Sequence, residues 1–315
     1  MIRFPRQAAI RFARLRLGAT LLLATMLAPA SAYACACGCG VFDVGTGSVL
    51  MGGAGGIAFL EYDFMDQNRN WSGTSSAPAA ANADKEIRTD FFTLGGAYMF
   101  NTDWGVMAEL PFWNRKFRTD DGGVQSFSHA AFGDMRLMAI YGGLSDDLST
   151  QVEAGVKLPT GDFKYANFDR DTEIGTGSTD FMLGLNHRGA LDKDYKWMWF
   201  GQVMWDQPLA DQGGYRPGAE VDGALGVYYT FQNIPSDFAV APMLQFIVSH
   251  RAHDGGPASN PGDSGYDRLM ISPGVEVDLG NWKLYGDVEF PLDQDMTGNQ
   301  LVAPELFKAI LSYAL

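Results

Sequence analysis

The three cysteines of the 315-residue chain stand together at 35, 37 and 39, in the stretch ACACGCG. A C-x-C-x-C run sets three thiols on one side of an extended segment, or around one soft ion where the chain bends. The spacing is neither the C-x2-C of common zinc sites nor the C-x-x-C-H of haem attachment. Thiolates so close together suit a thiophilic ion such as Cu(I). Cys35, Cys37 and Cys39 are therefore candidate ligands for a soft metal, or a docking point for a periplasmic redox partner. Three alternatives stay open: a disulfide between two of them, an acylated Cys35, or a role in anchoring the segment.

Other chemistry-bearing residues are sparse. The histidines are His129, His187, His250 and His253. No spacing among them and the serines fixes a nucleophile, base and orienter, so the chain reads as a non-enzyme. GTGSTD at 175–180 resembles a phosphate loop but lacks the lysine and the following helix. Met107, Met138, Met182, Met198, Met204, Met243 and Met270 share one strand parity. They read as flexible apolar filler, with soft-metal binding as the lesser alternative.

The elements that would position these groups are strands. Arg3, Arg6, Arg11, Arg14 and Arg16 followed by apolar Leu17–Ala30 and the A-x-A site Ala32-Tyr33-Ala34 form a secretory signal, cleaved before Cys35. Residue 32 is Ala where a lipoprotein signal wants a Leu-type residue. Removing residues 1–34 takes five of the 23 Lys+Arg and none of the 37 Asp+Glu, which leaves a net charge of −19. That balance argues against nucleic acid as a partner. In RLMISPGVEVDL, apolar Leu269, Ile271, Val275 and Val277 alternate with Met270, Ser272, Glu276 and Asp278. Such a period of two marks a strand between two different environments.

About twelve segments of this kind follow one another: 50–64, 87–99, 103–115, 129–141, 148–158, 178–188, 195–206, 219–231, 237–249, 266–279, 281–292 and 303–315. Long Gly/Asp/Ser/Pro-rich connections (65–86, 116–128, 159–177, 207–218, 250–265, 293–302) alternate with short ones. The expected fold is all-β: an antiparallel transmembrane β-barrel of about 12 strands, with short periplasmic turns and long extracellular loops. The expected organisation is a signal peptide 1–34, a periplasmic Cys-containing segment 35–49 and an outer-membrane barrel 50–315. Trp104, Phe112, Trp113, Trp197, Trp199, Trp205, Tyr228, Tyr229 and Trp282 are expected in interfacial girdles. The final strand LFKAILSYAL resembles the signal read by outer-membrane assembly machinery, with Leu315 in place of the usual terminal Phe.

The polar parity would line the lumen: Glu109, Arg136, Glu153, Lys157, Asp180, Gln202, Glu220, Asp222, Gln245, Glu276, Asp278, Lys283, Asp287 and Glu289. The same groups placed against hydrocarbon would cost kilocalories each. Their plain role is salt-bridging of the wall; an excess of acid would also favour cations and neutral solutes over anions.

FGDMRLMAIYG (132–142), VKLPTGDF (156–163), GTGSTDFMLGLNH (175–187) and RLMISPGVEVDLGNWKLYGDVEFPLDQDMTGNQ (268–300) occur in that order. Together they resemble the outer-membrane transporter family named for the putative MetA pathway of phenol degradation, over roughly residues 85–315. The resemblance implies a porin-like barrel admitting small, often aromatic or hydrophobic, molecules, and it brings no catalytic residues. The expected function is passive passage of small solutes, selected by inward-folding loops such as 65–86 and 159–177. The alternatives are a barrel serving its soft-metal or redox segment, and a structural barrel that adheres through its loops. Outer-membrane lipids, the assembly machinery and a small-molecule solute are the expected partners.

Overall fold

The computed structural model describes residues 42, 44, 53–232 and 238–315. Among the described residues sixteen strands follow in chain order: β1 (Gly55–Gln67), β2 (Arg69–Gly73), β3 (Ser75–Ser76), β4 (Asp84–Met99), β5 (Trp104–Thr119), β6 (Gln125–Phe132), β7 (Arg136–Tyr141) and β8 (Thr150–Lys157). Then come β9 (Thr179–Ala190), β10 (Trp197–Ala210), β11 (Glu220–Tyr229), β12 (Phe231–Gln232), β13 (Phe238–Arg251), β14 (Tyr266–Leu279), β15 (Trp282–Val302) and β16 (Leu306–Ala314). Twelve of them form a closed antiparallel ring, β1-β4-β5-β7-β8-β9-β10-β11-β13-β14-β15-β16, and β16 returns to β1 through Ile57↔Ala314 to Met65↔Leu306. Closure leaves the twelve-strand ring without an end strand, which is what a spanning sheet requires in lipid.

The ring follows from the alternation. Leu60, Leu94, Leu183, Leu225 and Leu284 are exposed on the outer face, while Asp63, Asp180, Asp222 and Glu289 on the other parity are buried. Aromatic pairs mark both rims of the apolar band. At the short-turn end Trp104–Tyr141, Trp197–Tyr229 and Trp282–Tyr313 lie 4.7–4.9 Å apart. At the loop end Tyr62–Phe92 and Phe112–Phe132 lie 5.1 and 5.4 Å apart. Rings in two belts are the expected interfacial anchors.

Several boundaries differ from the sequence expectation. The segment 129–141 is two strands, β6 and β7, because the chain leaves the ladder at Gly133-Asp134-Met135. The connection expected at 293–302 is the upper half of β15, held there by pairing with β14 (Tyr266↔Met296) and β2 (Gln300↔Trp71). Trp113 and Tyr228 are not girdle residues. Period two puts Trp113 on the face of Glu109, where its ring meets Phe91 at 4.8 Å. Tyr228 likewise shares the face of Asp222 and lies 6.3 Å from Phe200.

Candidate functional site

The interior of the barrel is narrowed by two intrusions. One is the loop 158–178, which leaves β8 and folds into the ring, so that Glu173 is 8% exposed and Ile174 1%. Its hinge is built from three short motifs that lie far apart in sequence. The Asp134 carboxylate of FGDM accepts the Gly161 N–H of PTGD at 2.9 Å, and the Thr176 N–H and hydroxyl of GTGST at 2.7 and 2.6 Å. Gly161 and Gly175 pass so closely that a Cβ on Gly175 would meet the Gly161 carbonyl carbon at 2.5 Å. Only glycine fits there.

From the wall, buried Arg115 donates to Thr89 Oγ1 (2.9 Å) and to the carbonyls of Thr172 (2.7 Å) and Glu173 (3.0 Å). His129 of β6 stacks on Tyr165 at 4.1 Å, and its Nε2 lies 2.9 Å from Asp162. That hydrogen bond is the main cause holding the Asp162 carboxyl below its ordinary value. Glu173 is the opposite case: burial, with Asp162 adding to it, pushes its carboxyl up to about 8 against the opposing pull of Arg170 and Arg115.

The second intrusion is made by Phe42 and Val44. Phe42 and Val44 belong to the stretch expected on the periplasmic side, yet both are buried inside the ring. The Phe42 ring packs 5.5 Å from Phe91, and its carbonyl accepts a hydrogen bond from the Lys308 ammonium of β16. An apolar Phe and Val gain by leaving water for this wall. Cys35, Cys37 and Cys39 lie outside the described residues.

Between the intrusions is a cavity of about 130 Å³, lined by Phe42, Phe91 and Trp113 together with charges of both signs from the wall and the loop. Of the sequence-derived lumen residues, Glu109, Arg136, Lys157, Asp180 and Glu220 meet there. Glu109 pairs with Arg136 at 3.6 Å, and Lys157 bridges Asp180 and Asp206, the latter at 3.0 Å. Glu153 and Gln202 line a second cavity of about 80 Å³ nearer the short turns, shared with Met107, Met138, Met182 and Met204. Glu153 accepts from Asn186 at 2.9 Å.

Asp222, Gln245, Asp287 and Glu289 are buried in the wall and line neither cavity. Gln245 donates to Ser272, Tyr285 and Asp287. Glu276 and Asp278 sit at the short-turn end, bound by Lys283 at 3.0 and 3.4 Å. The loop 65–86 does not reach the cavities; its β2–β3 hairpin pairs with β15 instead.

Sequence reasoning missed Arg115, Asp134, Arg170, Glu173, Asp206, Tyr215 and Arg251, all of which line the larger cavity. A signal existed for Arg115, Asp206 and Arg251, which hold the lumen parity of Glu109, Gln202 and Gln245. The loop residues had none, because an inward fold is a tertiary property. Glycines on the lumen face are a further device. A Cβ on Gly95 would strike the Phe59 ring at 2.1 Å, one on Gly226 the Phe200 ring at 2.5 Å, and one on Gly155 Met138 Cγ at 2.6 Å. Large side chains thus pack directly against a neighbouring strand's glycine.

No family model matches the chain, and no curated protein matches it. Among solved structures it is similar to the COG4313 outer membrane channel from Pseudomonas putida F1, at 12% identity and a TM-score of 0.63, covering 86% of this chain and all of that one. It is also similar to the beta domain of the Bordetella autotransporter BrkA, at 13% identity and a TM-score of 0.50, covering 83% of this chain and all of that one. The chain has the fold of a twelve-stranded outer-membrane β-barrel.

Proposed function

We propose that the protein is an outer-membrane channel through which small solutes pass by diffusion, selected where the loop 158–178 and Phe42 narrow the lumen. The observation that carries this reading is the cavity between them, inside a ring closed by hydrogen bonds. Its volume of about 130 Å³ accommodates one aromatic ring; an engineered cavity of about 150 Å³ takes benzene. Phe42, Phe91 and Trp113 offer ring faces and edges. The Arg115 guanidinium over Trp113 at 5.3 Å adds a cation beside them. A compact aromatic solute with one polar substituent, of the size of a phenol, matches that lining, in keeping with the family resemblance of the motifs.

Uptake into liposomes containing the purified protein is the test. Phenol-sized aromatics are expected to enter faster than disaccharides, and enlarging the aperture by Phe42→Ala is expected to narrow the difference. Equal exclusion of every solute, in wild type and variant alike, would remove the channel reading.

A further inference from the structure

The outer face of β1, β4, β5 and β6 is graded toward its loop end. Leu60, Leu94 and Leu110 stand side by side in one row. Two residues further lies the aromatic row Tyr62, Phe92, Phe112 and Phe132. Four residues beyond that, Arg88 pairs across the ladder with Lys116, and Arg118 stands two residues further on β5. At about 3.3 Å per residue and a strand tilt near 40°, Arg88 and Lys116 stand about 10 Å above the aromatic row and Arg118 about 15 Å. That is the height of lipid headgroups rather than of hydrocarbon.

The cations are only partly satisfied within the chain. Lys116 and Arg118, 45% and 47% exposed, share the single carboxylate of Glu86 at 3.3 and 3.6 Å. Arg88 is exposed and lies over the Phe64 ring at 5.0 Å, with no ion pair or hydrogen bond to any described residue. Of the nearby acids, Asp66 stands opposite Arg88 on β1 without an ion pair to it and accepts from Asn68 at 3.0 Å, and Asp90 accepts the Tyr62 hydroxyl at 2.9 Å. The outer face of β14 and β15 at the same end carries the opposite charge, with Asp267, Asp293 and Asp295 exposed. The Arg88, Lys116 and Arg118 cluster therefore lies on a different face from these three acids.

We propose that this face seats a phosphorylated glycolipid of the outer leaflet: Arg88, Lys116 and Arg118 hold a phosphate, and the acyl chains lie down the aromatic and leucine rows. Guanidinium and phosphate match in charge and in bidentate geometry. The apolar wall immediately below the cations selects a lipid over a free anion, since inorganic phosphate would leave that surface unused. The site is independent of what passes through the lumen.

The test is titration of the full chain, purified in detergent micelles, with diphosphorylated lipid A, read by native mass spectrometry. Dephosphorylated lipid A and inorganic phosphate serve as comparison ligands. Arg88→Gln is expected to weaken binding about fivefold, and R88Q/K116Q/R118Q on the order of a hundredfold, from about fivefold per cation at a charged lipid surface. D293N/D295N, on the acidic side, is expected to bind as wild type. Heat-modified gel mobility reports that each barrel is folded, and the single Arg88→Gln variant keeps the test open if the triple variant does not fold. Wild-type affinity in a folded Arg88→Gln or triple variant would overturn the proposal. So would equal binding of dephosphorylated lipid, or displacement of the lipid by inorganic phosphate at equal concentration.

Discussion

Replacing Asp134 by Ala removes the group on which both ends of the inward loop converge. Three hydrogen bonds are lost, from Gly161 N–H, Thr176 N–H and Thr176 Oγ1, all 2.9 Å or shorter and all to a carboxylate that is 6% exposed. Bonds to a charged acceptor contribute about 1.5–3 kcal/mol each, and water restores part of that once the loop swings out. The net cost to docking is then about 3–5 kcal/mol, which raises the open population roughly 150- to 4000-fold. Arg115 still holds the Thr172 and Glu173 carbonyls, so the effect falls on the loop and leaves the ring intact. Trypsin cleavage after Arg170 reports opening, because that residue is wedged between the Phe163 and Tyr215 rings at 5.0 and 4.6 Å. Cleavage tracks the open population when reclosing is fast. Asp134→Ala is expected to be cut at least a hundredfold faster, with Asp134→Asn in between, and single-channel conductance should rise in step. Wild-type cleavage and conductance in a folded Asp134→Ala barrel would refute the assignment of Asp134 as the hinge staple.

Arg115→Gln removes the donor to two loop carbonyls and to Thr89. It is expected to lower the loop's protection in hydrogen exchange by about 2–4 kcal/mol while ladder amides stay protected. Gly95→Ala places a methyl against the Phe59 ring at 2.1 Å. The ring must turn into the lumen, so conductance should fall without loss of barrel assembly; unchanged conductance would contradict this packing. Glu173 supplies a pH dependence. Its carboxyl is raised from 4.5 to about 8 in the docked loop, so the docked state holds the proton more tightly than the released one. Docking is strongest below pH 4.5, weakens as pH rises through about 8, and levels off above. Conductance is expected to rise over that window in wild type and to stay flat in Glu173→Gln; a flat wild-type profile would remove the role of Glu173.

The ring was legible because its signal is local. Period-two alternation at Leu269, Ile271 and Val275, or at Leu284 and Val288, needs no knowledge of partners. The Gly/Asp/Pro loops between strands declare themselves by composition. Applying the same parity strictly would also have moved Trp113 and Tyr228 inside, since they share faces with Glu109 and Asp222. Aromatic residue type points to the girdle at both positions, and strand parity decides. The interior was less legible. FGDM, PTGD and GTGST could be recognised as motifs, but only the fold brings Asp134, Gly161 and Thr176 to one point. Nothing in their local sequence says that Phe42 and Val44 turn into the lumen, because their gain comes from Phe91 and Lys308, far along the chain. The length of β15 was hidden for the same reason: residues 293–302 have loop composition and are made into strand by β14 and β2.

Planar-bilayer recording of the wild-type protein beside a variant with residues 163–172 replaced by a short Gly/Ser linker tests the central claim most directly. A lumen narrowed by the inward loop predicts small, discrete conductance steps in wild type and steps several-fold larger in the variant. Identical steps, or no channel events in either folded protein, would contradict it.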